Sequence, residues 1–167
     1  MSKHEFVFAD PESLPPASPM PAGPTPESYG SEIEIEAIVK AFEACTLPGS
    51  QWTHSAHLTV AAWYLARHSG YEAAARIRTG IRRYNAARGI VSTPTGGYHE
   101  TMTLFWTCIA SKYLMLADPD RPLVDLVNGL IDQHRNKNLI FEYYSRDLLF
   151  SRQARFSWVE PDLKPIR

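Results

Sequence analysis

The sequence predicts an all-α protein, a single-domain bundle of about six helices preceded by a proline-rich, extended N-terminal tail. Three observations carry this prediction. Apolar residues recur at three- and four-residue spacing from residue 31 onward, no segment alternates like a half-buried strand, and 167 residues suffice for one domain. The tail is expected to cover residues 1–30 and the helical-bundle domain residues 31–167.

The tail is distinguished by its prolines, because seven of the thirteen in the chain fall within residues 1–30. Proline fixes φ and lacks an N–H donor, so this composition does not support a helix or a strand ladder. We interpret the segment as a solvated leader, and a proline-rich binding motif is the alternative.

The six helices are bounded by capping and breaking residues. Ser31 and Ser69 each open a helix with a Ser-x-x-Glu capping box, and Gly89 ends the third helix. The glycine- and proline-containing stretch 91–97 predicts a loop before the fourth helix. The expected helices cover approximately residues 31–47, 53–68, 69–88, 98–117, 122–131 and 139–150.

Charge and composition exclude several classes of protein. Seventeen Lys and Arg against eighteen Asp and Glu give a net charge of −1, which does not supply the positive field of a nucleic-acid-binding protein. No stretch reaches the ~20 uninterrupted apolar residues of a membrane helix, and no apolar run of signal-peptide length begins the chain. We therefore expect a cytoplasmic protein, with Cys45 and Cys108 as buried, reduced thiols.

The pattern with most chemical content is a set of histidines at two helix beginnings. His54 and His57 lie one turn apart at the start of the second helix, and His99 lies at the start of the fourth. If these beginnings lie side by side, the three imidazoles can ligate one divalent ion, with Glu100 or Glu142 as fourth ligand or general base. Such ligands suit Zn, Fe, Ni or Cu, without a choice among them.

Two other interpretations of these histidines stay open. They can be neutral core histidines that bond to neighbouring hydroxyls or carbonyls, or they can form an acid/base site without metal. If the three-histidine metal site exists, we expect the imidazoles to converge in a pocket walled by Leu58, Ala61 and Trp106.

Two further segments are candidates for the same pocket. Tyr144 and Arg146, on the sixth helix, are predicted to orient an anionic substrate, with ordinary core packing as the alternative. Gly96 and Gly97 can turn N–H groups toward an anion, or they serve only a tight turn and close helix packing.

Five segments together resemble an uncharacterised family of small bacterial helical proteins with Thr-His-x-x-His-Leu and Gly-Tyr-His-Glu-Thr motifs. The resemblance spans roughly residues 42–165 and implies no named activity. The matching segments cover residues 52–58, 81–85, 97–101, 144–146 and 160–165.

The sequence therefore predicts a cytoplasmic helical protein whose buried, histidine-rich, metal-binding pocket acts on a small molecule, with a metal-dependent enzyme of unknown reaction as one form of this prediction. The alternative is a small-ligand or protein-binding module with structural histidines and no catalysis. No nucleic-acid or membrane partner is expected, and a homodimer is compatible with the apolar leader.

Overall fold

The computed structural model describes residues 28–166, and within that range every regular element is a helix. The all-α prediction is confirmed for this part of the chain, whereas the predicted tail lies almost wholly outside the described residues. Five helices have 11 to 18 residues. The elements are α1 Glu32–Glu43, α2 His54–Leu65, α3 Gly70–Ala87, α4 Glu100–Leu116, α5 Leu123–Gln133, α6 Arg146–Leu149 and α7 Arg152–Phe156, with 3-10 segments at Gly49–Gln51 and Lys137–Glu142.

The capping boxes are realised in different ways. The Ser69 side chain accepts a hydrogen bond from the Glu72 N–H at the start of α3. Ser31 occupies the N-cap of α1 but makes no side-chain cap bond, and Glu34 instead accepts from the Gly30 N–H at 3.0 Å. Both boxes therefore mark true helix beginnings, because either partner can satisfy an otherwise unpaired N–H group.

The predicted sixth helix over residues 139–150 is wrong. A 3-10 segment and α6 replace it and α7 follows, and Ser145 and Ser151 cap the two short helices by accepting from the Leu148 and Ala154 N–H groups. Asp162 also accepts from the Ser145 N–H at 2.8 Å. These local bonds satisfy backbone donors at new helix starts, so the chain turns twice instead of continuing one helix.

The bundle is organised around α2, which packs against α1, α3, α4 and α5. Its sequence is apolar nearly all the way round, as expected of a central helix. Helix α4 packs against α2 and also against α7, and a second apolar cluster forms there around Phe105, Tyr144 and Leu149. The C-terminal segment thus closes one side of α4.

Hydrogen bonds of two side chains, Thr101 and Arg155, fix the C-terminal segment to the start of α4. Thr101 donates its hydroxyl to the Ser157 carbonyl at 2.8 Å and accepts from the Val159 N–H at 3.3 Å. Arg155, only 7% exposed, donates to the carbonyls of Pro94 and Tyr98. These bonds hold the loop before α4 and the end of the chain in one unit.

Two class predictions can be compared directly with the structure. No helix within residues 28–166 is long and apolar enough to cross a membrane. Cys45 and Cys108 are both free thiols. The expectation that both are buried is wrong, because Cys45 is only half-buried and Cys108 is exposed on the surface of α4.

Candidate functional site

The beginnings of α2 and α4 meet at a cavity of about 520 Å³. This is the side-by-side arrangement that the histidine pattern required, and His54, His57 and His99 all line the cavity. Ala61 and Trp106 form part of its wall as predicted, whereas Leu58 is fully buried in the core and does not reach it. The remaining lining residues are Trp52, Ile77, Ile81, Asn85, Ile90, Gly97, Tyr98, Met102, Thr103, Thr107 and Lys137.

His57 offers the cavity a ring nitrogen with a free lone pair. Its Nδ1–H donates to the Thr53 carbonyl at 2.7 Å, so in the neutral ring Nε2 carries the lone pair. Nε2 makes no hydrogen bond to residues 28–166. The ring stacks on Trp52, with 3.8 Å between the centroids. Burial lowers the pKa of His57 to about 4, because the protonated ring would lose its hydration, and the ring is neutral at pH 7.

His54 is held by a contact from another helix. Its Nε2–H donates to the carbonyl of His134, at the end of α5, at 2.9 Å, and its ring meets Trp106 edge-on at 4.4 Å. Burial lowers the pKa of His54, and the nearby positive charge of Lys137 lowers it further, although the His134 carbonyl opposes the shift. The ring is therefore also neutral, with Nδ1 as its unprotonated nitrogen.

His99 uses both ring nitrogens in the structure. It is the N-cap of α4, where Nδ1 accepts from the Met102 N–H at 3.3 Å, and its Nε2–H donates to the Leu149 carbonyl at 2.9 Å. Because the N-cap has extended backbone, α4 begins at Glu100 and not at Tyr98 as predicted. Burial is the main cause that lowers the pKa of His99.

The donor set fits a three-histidine metal centre poorly. His99 can bind an ion only by giving up its cap bond or its bond to Leu149, and His54 presents only Nδ1. Within residues 28–166, no group of three or more His, Cys, Asp or Glu side chains is placed to hold a metal ion. The metal site with Zn, Fe, Ni or Cu stays a prediction from the sequence, and we derive no chemistry through it.

Glu100 is the buried centre of a charged cluster whose two arginines are partly exposed. It is 3% exposed, pairs with Arg78 and Arg82, and accepts the Tyr98 hydroxyl at 2.7 Å. Burial and the bond to Glu100 raise the pKa of Tyr98 to about 12, so the phenol remains a donor. With both carboxylate oxygens engaged and no share in the cavity lining, Glu100 is not placed as the general base or fourth ligand that the sequence predicted.

The C-terminal candidates also lie away from the cavity. Tyr144 is fully buried in the second apolar cluster, and its hydroxyl donates to the Val159 carbonyl at 2.9 Å. Arg146 is exposed and stacks on Phe141. Glu142 pairs with Lys164 on the surface. The structure does not bring these side chains to the histidines, because the predicted sixth helix is broken and directs them elsewhere.

Gly97 supports the tight-turn interpretation of the Gly96-Gly97 pair. Its φ is +77°, and a Cβ there would lie 2.7 Å from the Val91 carbonyl oxygen and 2.8 Å from the Ser92 Cα. Glycine is thus required both by the left-handed conformation and by the close approach of backbone. The turn brings Gly97 and Tyr98 into the cavity wall.

Sequence reasoning missed two polar residues of the cavity. Asn85, on the inner face of α3, is 8% exposed, and its side-chain amide makes no hydrogen bond within residues 28–166. Lys137 is exposed and begins the 3-10 segment after α5. The only sequence signal for Asn85 was that it is an asparagine within an apolar helical stripe. No sequence signal pointed to Lys137.

Comparison with known proteins gave no match to a family model, to a curated protein or to a solved structure. The resemblance to a bacterial helical family therefore stays a prediction, and the properties of the cavity are the basis for its function.

Proposed function

We propose that this protein binds a small, largely apolar molecule in the cavity between α2 and α4, with His57 Nε2 as the acceptor for a hydrogen-bond donor on the ligand. The observation that carries the proposal is a neutral imidazole in the wall of a mostly apolar cavity of about 520 Å³, with one ring nitrogen that no described residue binds. Ligand sites of this kind combine apolar walls with a few fixed polar groups.

The volume and walls suit a compact aromatic or branched aliphatic body. Trp52 and Trp106 supply aromatic surface, and Ile77, Ile81 and Met102 supply aliphatic surface. Burying such a body contributes about 25 cal/mol for each Å² of apolar surface removed from water. The polar groups then orient the ligand.

Binding is better supported than proton transfer. A general base that works near neutral pH needs a pKa close to that pH, whereas the pKa of His57 is about 4. The ring is also oriented by the Thr53 carbonyl and not by a carboxylate that would stabilise an imidazolium ion. His57 is therefore suited to accept a hydrogen bond in every bound state without taking the proton.

Matched probes test the proposal. Indole and 2-naphthol each carry one donor on an apolar body, and 1-methylindole and 2-methoxynaphthalene lack the donor. We expect the donor compounds to bind the wild type about tenfold more tightly than their methylated partners, as one hydrogen bond to a neutral acceptor allows. Ligand-observed NMR measures the affinities, because indole itself absorbs and emits light as tryptophan does.

Two variants and one control variant assign the binding to this cavity. His57→Phe keeps an aromatic ring against Trp52 but removes Nε2, so the difference between donor and methylated probes should disappear. Ala61→Phe fills the cavity and should abolish binding of all four, whereas Ala87→Phe, at an exposed position on α3, should not. Circular dichroism confirms that each variant is folded. Equal binding of all probes to wild type and Ala61→Phe would refute the proposal.

A further inference from the structure

The charges around the cavity are of one sign. Within the described residues, no Asp or Glu lines the cavity, and Lys137 is its one lining cation. No ion pair joins Lys137 to a carboxylate of residues 28–166. Its positive charge reaches the cavity, since it contributes to the lowered pKa of His54.

Charges behind the wall have the same sign. Glu100 is shared by Arg78 and Arg82, which leaves one net positive charge, although the two arginine side chains are 40% and 52% exposed and solvent screens it. Arg155 is 7% exposed and donates only to backbone carbonyls among the described residues. Burial is the main cause that lowers the pKa of His99, the bond to the Leu149 carbonyl opposes it, and the charge of Arg155 lowers it further.

Backbone dipoles add to this field. The 12-residue α2 and the 17-residue α4 both begin at the cavity, and helix beginnings carry partial positive charge. The second, independent feature is Asn85, whose buried amide faces the cavity without a partner in the described residues. Because no described residue accepts from its amide N–H groups, a ligand oxygen in the cavity can do so.

From these observations we infer that the ligand of the cavity carries a single negative charge, and that its class is an apolar monocarboxylate whose carboxylate lies toward Lys137. This inference rests on the proposed binding function. A monoanion fits better than a phosphate, because no arginine lines the cavity and Lys137 supplies only one ammonium group. The apolar body of the ligand fills the space between Trp52 and Trp106, and its donor bonds to His57.

Three probes that share one indole body test the charge alone. Indole-3-propionate, its primary amide and tryptamine carry charges of −1, 0 and +1. We expect the carboxylate to bind about tenfold more tightly than the amide, and tryptamine to bind most weakly, because a charge near an exposed ammonium gains an energy of this order. The advantage of the carboxylate should shrink as salt is raised.

Lys137→Met should remove most of the advantage of the carboxylate while leaving the amide affinity unchanged. Lys40→Met is the matched control, because Lys40 lies on α1 and pairs with Glu36 away from the cavity. Binding of the carboxylate should be unchanged in this control.

The outcomes separate the inference from the proposed function. If carboxylate and amide bind equally well, and Ala61→Phe blocks both, the ligand cavity stands and the monocarboxylate inference is overturned. Preference for tryptamine overturns it as well. If indole itself does not bind the wild type, the proposed function fails first and the inference fails with it.

Discussion

Acidification should destabilise this protein through His57, and the effect is large enough to measure. The pKa of the ring is about 4 in the folded chain, lowered mainly by burial, against an ordinary value of 6.5 when unfolded. At pH 5 the unfolded chain binds a proton that the folded chain does not. Stability is therefore fully present above pH 6.5 and is lost as the pH falls toward 4.

The magnitude follows from these two values. Between pH 7 and pH 5, proton uptake by the unfolded chain at this one histidine lowers the free energy of unfolding by about 2 kcal/mol. Burial also lowers the pKa values of His54, His99 and His134, so their contributions have the same sign. On acidification, the free energy of unfolding of the wild type should therefore fall by more than the contribution of His57 alone.

The assay compares wild type with His57→Gln, which cannot titrate in this range. Urea unfolding followed by tryptophan fluorescence gives the free energy of unfolding at pH 7 and pH 5. The variant should be less stable at pH 7, because the Thr53 bond and the stacking on Trp52 are altered. Its loss on acidification should nevertheless be smaller than that of the wild type by about 2 kcal/mol.

The other histidines titrate in both proteins, so their contributions largely cancel in this comparison. Equal dependence on pH in the two proteins, with equal urea m-values, would refute the conclusion that His57 is buried in the neutral form. A steeper loss in the variant would do so as well.

Three further predictions concern local geometry and metal. Gly97→Ala should lower the free energy of unfolding by about 2 kcal/mol in urea titrations, because the new Cβ meets backbone at a positive φ. Gly70→Ala has open space around the new Cβ and should raise the free energy of unfolding by about 0.5 kcal/mol. Cys45 has a φ of +58° after α1, so thermal unfolding should show Cys45→Gly to be more stable than Cys45→Ala by about 1 kcal/mol, and the reverse order would contradict this account. A chelator should leave the Tm of the untagged protein unchanged, because His54 and His99 bond to carbonyl groups; a lower Tm that Zn restores would instead support the metal site.

Much of the fold was predictable because its signals are local. The first five helices follow from apolar periodicity and from end signals such as Ser69, and the central place of α2 follows from its apolar surface. The sixth helix was wrongly predicted because its periodicity continues through Ser145, whose side chain instead starts a new short helix. Periodicity alone does not distinguish an interior serine from a capping one.

The histidine part of the site was predictable for a similar reason. His54, His57 and His99 occupy the first turns of two apolar helices, so the meeting of those helix beginnings brings them into one cavity. Asn85 and Lys137 could not be predicted, because they come from other elements and no sequence spacing relates them to the histidines.

By itself, the sequence determined the helical class, most helix boundaries and the histidines as the notable polar groups of the apolar interior. The bond of His57 to the Thr53 carbonyl is local, but only the tertiary structure decided which ring nitrogens of His54 and His99 are bonded. The partner of His54 lies 80 residues away at the His134 carbonyl, and that of His99 lies 50 residues away at the Leu149 carbonyl. A carbonyl accepts but does not donate, so each contact fixes the protonated nitrogen of its ring. The chemistry of the cavity therefore depends on contacts between distant segments, which local sequence patterns do not encode.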